Sequence, residues 1–307
     1  NPPPPDLPPF VMVFEAGVDG YTCFRSPAMV TTLNGTIIAM SDGRIGSCGD
    51  IPTPLDLVIK RSFDNGQTWG PLQVVTDYGT AAGDVDTYPF YGLTNISRVS
   101  SGDAALLVDH TNGRIWTLYD NGGISGSRKI KLEMKYSDDD GATWSPRIDV
   151  EAQNPGIRPG YGEFITGPGN GIQLSDGPNV GRLIFPVYSY GSPSASMVIY
   201  SDDHGATWQR SANSVTNGGE IQVAELPGGQ LIASCRDNGF SWSGVRTFSR
   251  SIDGGVTWGP PFTNTTNPPT IPDPGCQGNI YTLSTTNISN TNRLIHATSP
   301  YLLQHDY

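Results

Sequence analysis

Four copies of one eight-residue pattern punctuate this chain of 307 residues. They are Ser62-Phe-Asp64-Asn-Gly66-Gln-Thr68-Trp69, Ser137-Asp-Asp139-Asp-Gly141-Ala-Thr143-Trp144, Ser201-Asp-Asp203-His-Gly205-Ala-Thr207-Trp208 and Ser251-Ile-Asp253-Gly-Gly255-Val-Thr257-Trp258. Each reads Ser-x-Asp-x-Gly-x-Thr-Trp. Repetition at intervals of 75, 64 and 50 residues means that one supersecondary unit has been copied. Four of the six Trp fall inside the copies, which chance does not explain. Asp followed by Gly is turn chemistry: the carboxylate accepts backbone N–H groups of its own loop, and Gly tolerates φ > 0. The segments ahead of the copies, such as Leu57–Ser62 and Met197–Ser201, read as strands. Thr-Trp is expected to begin the return strand, with the Trp plugging each hairpin against its neighbour. On this reading the four Asp are structural, and a metal or catalytic role is the competing one.

Composition points the same way. Gly (38) and Pro (26) are abundant, only 15% of residues are charged, and no amphipathic helical window exceeds a few turns. That favours many short strands joined by turns. No apolar run approaches the ~18 residues that span a bilayer. A net charge of −11 argues against nucleic acid and anionic membranes as partners. The basic residues are 14 Arg against 4 Lys, and Arg is the better fork for a carboxylate. Cys23, Cys48, Cys235 and Cys276 lack zinc-knuckle or CxxC spacing, so neither a metal nor another cofactor is expected. Three pairings, and free thiols, stay open. Sequons at Asn34, Asn95, Asn264 and Asn287 suit a secreted or cell-surface glycoprotein.

Residues 1–10 are proline-rich and read as a linker or trimmed terminus. Residues 11–307 read as one domain. Hairpins are expected around Leu33-Asn-Gly35, Thr111-Asn-Gly113 and Pro227-Gly-Gly229. Residues 70–103 read as an aromatic loop region, 120–132 as a mobile Gly/Ser-rich segment, and Arg182–Tyr188 as a strand.

Several motifs resemble those of the sialidase superfamily, in which the eight-residue repeat is the Asp box. Phe24-Arg25-Ser26-Pro27 is similar to that family's Phe/Tyr-Arg-Ile-Pro motif, with Ser in place of Ile. Gly43-Arg44 followed by Asp50 matches a Gly-Arg and a later Asp. Glu220 lies sixteen residues ahead of Arg236, a spacing that puts both at one end of a hairpin. Gly102-Asp103 through Asp109, and Cys276-Gln-Gly-Asn279, match two further stretches. The resemblance covers residues 11 to about 300.

It implies an all-β, six-bladed β-propeller of four-stranded antiparallel blades, cleaving terminal sialic acids from glycoconjugates with retention. Arg25, Arg44 and Arg236 would grip the substrate carboxylate. Asp50 would be the acid/base, and Glu220 would activate a Tyr nucleophile. Asp103 would meet the sugar's N-acyl arm, or else serve as a turn Asp. Glu225 competes with Glu220 but precedes a turn and is expected to face solvent. A Tyr nucleophile suits an anomeric carbon beside a carboxylate, because a neutral phenol avoids charge repulsion. Neither Tyr301 nor Tyr307 matches that nucleophile's context, and no Arg follows Arg293. The third Arg, the Tyr and the last blade or blades are therefore expected outside this chain, in a C-terminal remainder of the same protein. A sialoside-binding lectin, a trans-sialidase and a glucan hydrolase remain the alternatives.

Overall fold

The computed structural model describes residues 10–51, 53–77, 85–88, 93–97, 100–124, 127–190, 193–216, 218–237, 244–263, 271, 273, 275–283 and 293–297. The proline-rich start, the sequons at Asn264 and Asn287, Tyr301 and Tyr307 lie outside them. The chain is all-β apart from single turns of helix, such as α1 (Val150–Gln153).

Four antiparallel units follow one another. The first comprises β1 (Cys23–Thr31), β2 (Ile37–Arg44), β3 (Leu55–Ser62) and β4 (Gln73–Thr76), with a small hairpin after it, β5 (Val85–Tyr88) and β6 (Leu93–Ser97). The second comprises β7 (Ser100–Val108), β8 (Ile115–Ile124), β9 (Ser127–Ser137) and β10 (Ile148–Asp149). In the third, β11 (Glu163–Thr166) pairs β14 (Leu183–Tyr190), which pairs β15 (Ala195–Ser201). Short strands β13 (Ile172–Gln173), β16 (Gln209–Arg210) and β17 (Val215–Thr216) border it, while β12 (Gly169–Asn170) runs parallel to β7 of the second unit. The fourth comprises β18 (Gly218–Leu226), β19 (Gln230–Asp237) and β20 (Thr247–Ser251), followed by the pair β21 (Asn279–Leu283) and β22 (Arg293–Ala297). The three expected hairpins form as β1–β2, β7–β8 and β18–β19.

The sheets bury both faces, one against each neighbouring unit. Ala104, Leu106 and Val108 of β7 pack with Ile38, Met40, Leu57 and Ile59 of the first unit. Ala105 and Leu107 of the same strand pack toward Phe164, Phe185 and Met197 of the third. Leu174, Ile184 and Val198 then meet Ile221, Val223 and Leu231 of the fourth. Period-2 alternation with apolar residues at every position is what a doubly buried strand requires.

The repeated turns join these units. In each, the Asp accepts the Thr backbone N–H (2.8–2.9 Å), the Thr hydroxyl and the Ser hydroxyl. These donors push the Asp64 carboxyl down to about 2. Two consecutive residues take the left-handed region: Asn65-Gly66, Asp140-Gly141, His204-Gly205 and Gly254-Gly255. From the second copy on, each turn docks on the preceding unit. Asp140 accepts from Asn34 (2.8 Å). His204 Nδ1 meets buried Asp109 at 2.8 Å, and Arg182 donates to the carbonyl of Gly254 at 2.9 Å. Trp208 stands edge-on to Trp116 of the second unit at 6.1 Å. Burying such a ring contributes roughly 4–6 kcal/mol of transfer free energy.

Three expectations need correction. Thr-Trp does not generally start the return strand: β4 and β10 begin four residues after Trp69 and Trp144. One backbone bond forms after each Trp (Gly70 to Arg61, Ser145 to Tyr136, Gly259 to Arg250, all 2.8 Å). Pro71, Pro146 and Pro260 then follow, and proline has no N–H to continue the ladder. The third copy lacks that proline, and there β16 starts directly at Gln209. Second, residues 120–124 and 127–132 of the Gly/Ser-rich segment belong to β8 and β9, which pair from Asp120↔Leu132 to Ile124↔Ser127, with Ile130 and Leu132 buried. Third, residues 70–103 are not loop alone, since β4, β5, β6 and the start of β7 lie within them.

A Cβ at Gly205 would lie 2.3 Å from the Trp116 ring, at a φ of +88°. Gly205→Ala is therefore expected to lower the melting midpoint more than Asp203→Ala, which removes only turn hydrogen bonds and should cost about 2–4 °C per kcal/mol lost. Thermal melts followed by circular dichroism decide it. The reverse order would mean that the turn's hydrogen bonds, not its docking, carry the stability.

Candidate active site

Three candidate residues sit at the same place in three different units. Arg25 is the third residue of β1, Asp103 the fourth of β7 and Glu220 the third of β18. Each lies at a register shift against the second strand: Arg25/Ala28, Gly102/Ala105 and Gly218/Ile221. A bulge of this kind bends a strand and re-aims its side chains. Ser26 and Asp103 hold left-handed backbone at φ 51° and 52°, a conformation that costs a non-glycine residue energy. Their side chains meet, Ser26 Oγ donating to Asp103 at 2.7 Å. The Ser that departs from the family's Ile therefore has a partner.

Arg44 lies underneath. Its side chain is 2% exposed, and its Nη2 donates to fully buried Asp42 at 3.0 Å. Its Nη1 reaches the carbonyls of Cys48 (3.0 Å) and Gly49 and the Asp50 carboxylate (2.7 Å). Asp50 itself is 57% exposed and also takes a bond from Arg25 Nη1 at 3.2 Å. Asp42 turns its other oxygen to the backbone N–H of Asp103 at 2.9 Å. Burial pushes the Asp42 carboxyl up to about 8, helped by the Asp103 charge and opposed by Arg44.

The loop carrying Asp50 is fixed on both sides. A disulfide joins Cys48 to Cys23, which resolves the pairing; Cys235 and Cys276 are free. On the other side Ile51 is buried with Leu55, Ile130 and Ile165. It fits because residue 122 is Gly, where a Cβ would lie 2.3 Å from the Ile51 side chain.

Glu220 and Arg236 pair at 2.8 Å across β18 and β19, with Arg236 opposite the bulge. The Arg236 side chain is 34% exposed and that of Glu220 18%. Burial raises the Glu220 carboxyl, Arg236 lowers it, and the Asp103 charge raises it again. Hydrogen bonds through Asp42 join Arg25, Arg44, Asp50 and Asp103 into one set, and Glu220 and Arg236 form a separate pair at the corresponding end of β18 and β19.

Arg44 is sealed beneath Asp50 with its Nη donors engaged. The structure also corrects one expectation. Glu225 does not point to solvent. It lies toward the other end of β18 and accepts the Ser175 hydroxyl and the backbone N–H groups of Ser175 and Asp176 at 2.6–3.0 Å. It borders a cavity of about 430 Å³ with Met29, Val108 and Tyr281, at the ends of the inner strands away from Arg25.

Sequence reasoning missed Asp42, Asp120 and Arg246. Asp120, fully buried opposite Gly102, accepts the backbone N–H and hydroxyl of Thr166 at 2.8 and 2.9 Å. Burial raises its carboxyl well above the ordinary range. Arg246 is fully buried and ties Ser234 of β19 to the carbonyls of Cys276 and Gly278. Neither residue sits in a motif. The signal for Asp42 was its place two residues before Arg44, on the same face of one strand.

Successive antiparallel units, joined by one repeated turn that docks on the preceding unit, are the build of a β-propeller-type repeat protein. A BNR repeat-like domain model matches residues 53–298. A sialidase of Micromonospora viridifaciens is 32% identical over 80% of this chain and 37% of its own length. One of Bacteroides fragilis is 31% identical over 81% and 45%. Among solved structures, the Hadza microbial sialidase Hz136 superposes with a TM-score of 0.75 at 29% identity, over 92% of this chain and 54% of that one. The chain belongs to the sialidase family of BNR-repeat proteins, whose fold is a β-propeller. It spans less than half the length of each of these two relatives.

Asp42→Asn tests the buried acid. An Asp whose folded pKa is raised from 3.8 to about 8 contributes stability that is lost as pH rises between those values. The Asn variant lacks this loss, so any melting deficit relative to the parent should be smaller at pH 8 than at pH 5. A deficit that grows with pH would overturn the assignment.

Proposed function

We propose that this chain forms part of the active site of an extracellular, retaining exo-sialidase acting on sialylated glycans. The observation that carries the reading is Asp50: an exposed carboxylate on a doubly fixed loop, held between Arg25 and buried Arg44. Such a group can protonate the glycosidic oxygen and then take a proton from the attacking water. Arg25 and Arg236 bind the substrate carboxylate, as partly exposed forks suited to it. Arg44 orients Asp50. Asp103 faces the N-acyl arm. Glu220, with its proton affinity raised by burial, polarises the Tyr that attacks the anomeric carbon, a nucleophile sialidases use in place of a carboxylate. We assign that Tyr and a third Arg to residues beyond this chain, and read the four units and the β21–β22 pair as part of a six-bladed ring. The disulfide supports an oxidising, extracellular setting.

The test is turnover of sialosides by the full-length protein. Asp50→Ala should lower kcat on 3′-sialyllactose by about 10²–10⁴-fold, the usual range for a lost general acid. Arg25→Ala should chiefly raise KM, by about 10-fold or more for a lost charged contact. NMR of the first product should find the retained anomer. Hydrolysis indifferent to Arg25→Ala would indicate a glucan-type hydrolase. Sialoside binding without turnover, unchanged in Asp50→Ala and Glu220→Ala, would indicate a lectin.

A further inference from the structure

Cys23 and Cys48 stand two residues before Arg25 and Asp50 respectively. Their Cα atoms are 5.9 Å apart across a sequence separation of 25. Cys23 is also the cross-strand partner of Arg44. The disulfide therefore runs from β1, past the strand position of Arg44, to the loop that Arg44 holds from below. Resting on the proposed acid role of Asp50, we infer that the Cys23–Cys48 disulfide is a positioning element for that acid: it sets Asp50 against Arg44 and Arg25.

The other restraints on this part of the loop are hydrogen bonds, among them one from Thr53 Oγ1 to the Gly49 carbonyl at 2.8 Å. Residues 46–48 are exposed. Gly46 N donates to Thr22 Oγ1 at 2.9 Å, Arg25 to the Cys48 carbonyl at 3.3 Å, and Arg44 to the Cys48 and Gly49 carbonyls. The buried anchor, Ile51, follows Asp50 and leaves the preceding residues 46–49 without an apolar contact in that core. Opening the disulfide frees the segment on one side of the carboxylate while the other stays pinned. Asp50 then samples positions away from the leaving-group oxygen. Small misplacement of a catalytic group is costly, because its contribution depends on near-contact geometry. Carboxylate binding by Arg25 and Arg236 depends on β1 and β19, whose ladders do not involve the loop.

The expected signature is selective. A poor leaving group needs protonation; an activated aryl leaving group needs little. The full-length protein is compared in three forms: oxidised, reduced with dithiothreitol, and as the Cys23→Ser/Cys48→Ser double variant. Reduction or substitution should lower kcat/KM on 3′-sialyllactose about 10-fold and that on 4-methylumbelliferyl sialoside less than about 3-fold, with KM nearly unchanged. Amide hydrogen exchange should lose protection at residues 45–50 and keep it in β2 and β3. An unchanged substrate ratio overturns the inference, as does unchanged protection. An equal loss on both substrates with a general fall in melting temperature does so too, since the disulfide would then be merely structural. If the oxidised protein turns over neither substrate, the acid role of Asp50 fails and the catalytic inference with it. The exchange measurement still reads separately whether the disulfide holds the loop.

Discussion

One buried guanidinium couples the scaffold of this protein to its solvent-facing chemistry. Arg44 sits in the core side of β2 with 1% of its surface exposed, where an uncompensated charge would be severely destabilising. Its donors are met by Asp50, by the carbonyl dipoles of the loop and by Asp42, whose second oxygen accepts the Asp103 amide. Because each contact draws on a different element, none of β2, the 45–54 loop or the start of β7 can shift without unbalancing the others. The position of an exposed carboxylate is thereby set by a buried group.

The two ends of each unit do different work, and the registers make this explicit. Ser62, Ser137 and Ser251, which open the repeated turns, pair with or lie beside the hairpin ends of the sheets. The bulges at Arg25, Asp103 and Glu220 lie at the opposite ends of the same sheets. At the turn end, a fixed sequence repeats because one geometry must dock on each neighbour. At the bulge end, the same backbone device recurs with a different side chain each time. The third unit departs from this, since β11 pairs with β14 in unbroken register from Glu163↔Tyr190. Its contribution there is the Thr166 contact to Asp120.

Much of this was legible in the sequence, for identifiable reasons. The four turns could be read because an Asp that must accept its own loop's amides, followed by two left-handed residues, leaves few choices of residue. The Glu220–Arg236 pair could be read because a tight turn fixes which strand positions oppose each other. The bulges could not. An extra residue such as Ala104 or Pro27 leaves no compositional trace until the partner strand's register is known. The same holds for burial: nothing about Arg44 in the chain distinguishes a guanidinium facing a ligand from one sealed beneath an acid. Arg246 has no motif, because its partners Ser234, Cys276 and Gly278 come together only in three dimensions. The prolines after Trp69, Trp144 and Trp258 were in view, and they do account for the delayed return strands.

Burial also shapes the charge at the bulged strand starts, in a chain that carries −11. The carboxylates of Asp42, Asp50, Asp103, Asp120 and Glu220 lie in or beside these strand starts. Three of them have their proton affinity raised by desolvation: Asp42 to about 8, Asp120 well above its usual range, and Glu220 in the same direction. The guanidinium groups of Arg25 and Arg236 are partly exposed. Depth separates these carboxylates: Asp42 and Asp120 are taken out of water, and Asp50 is left in it.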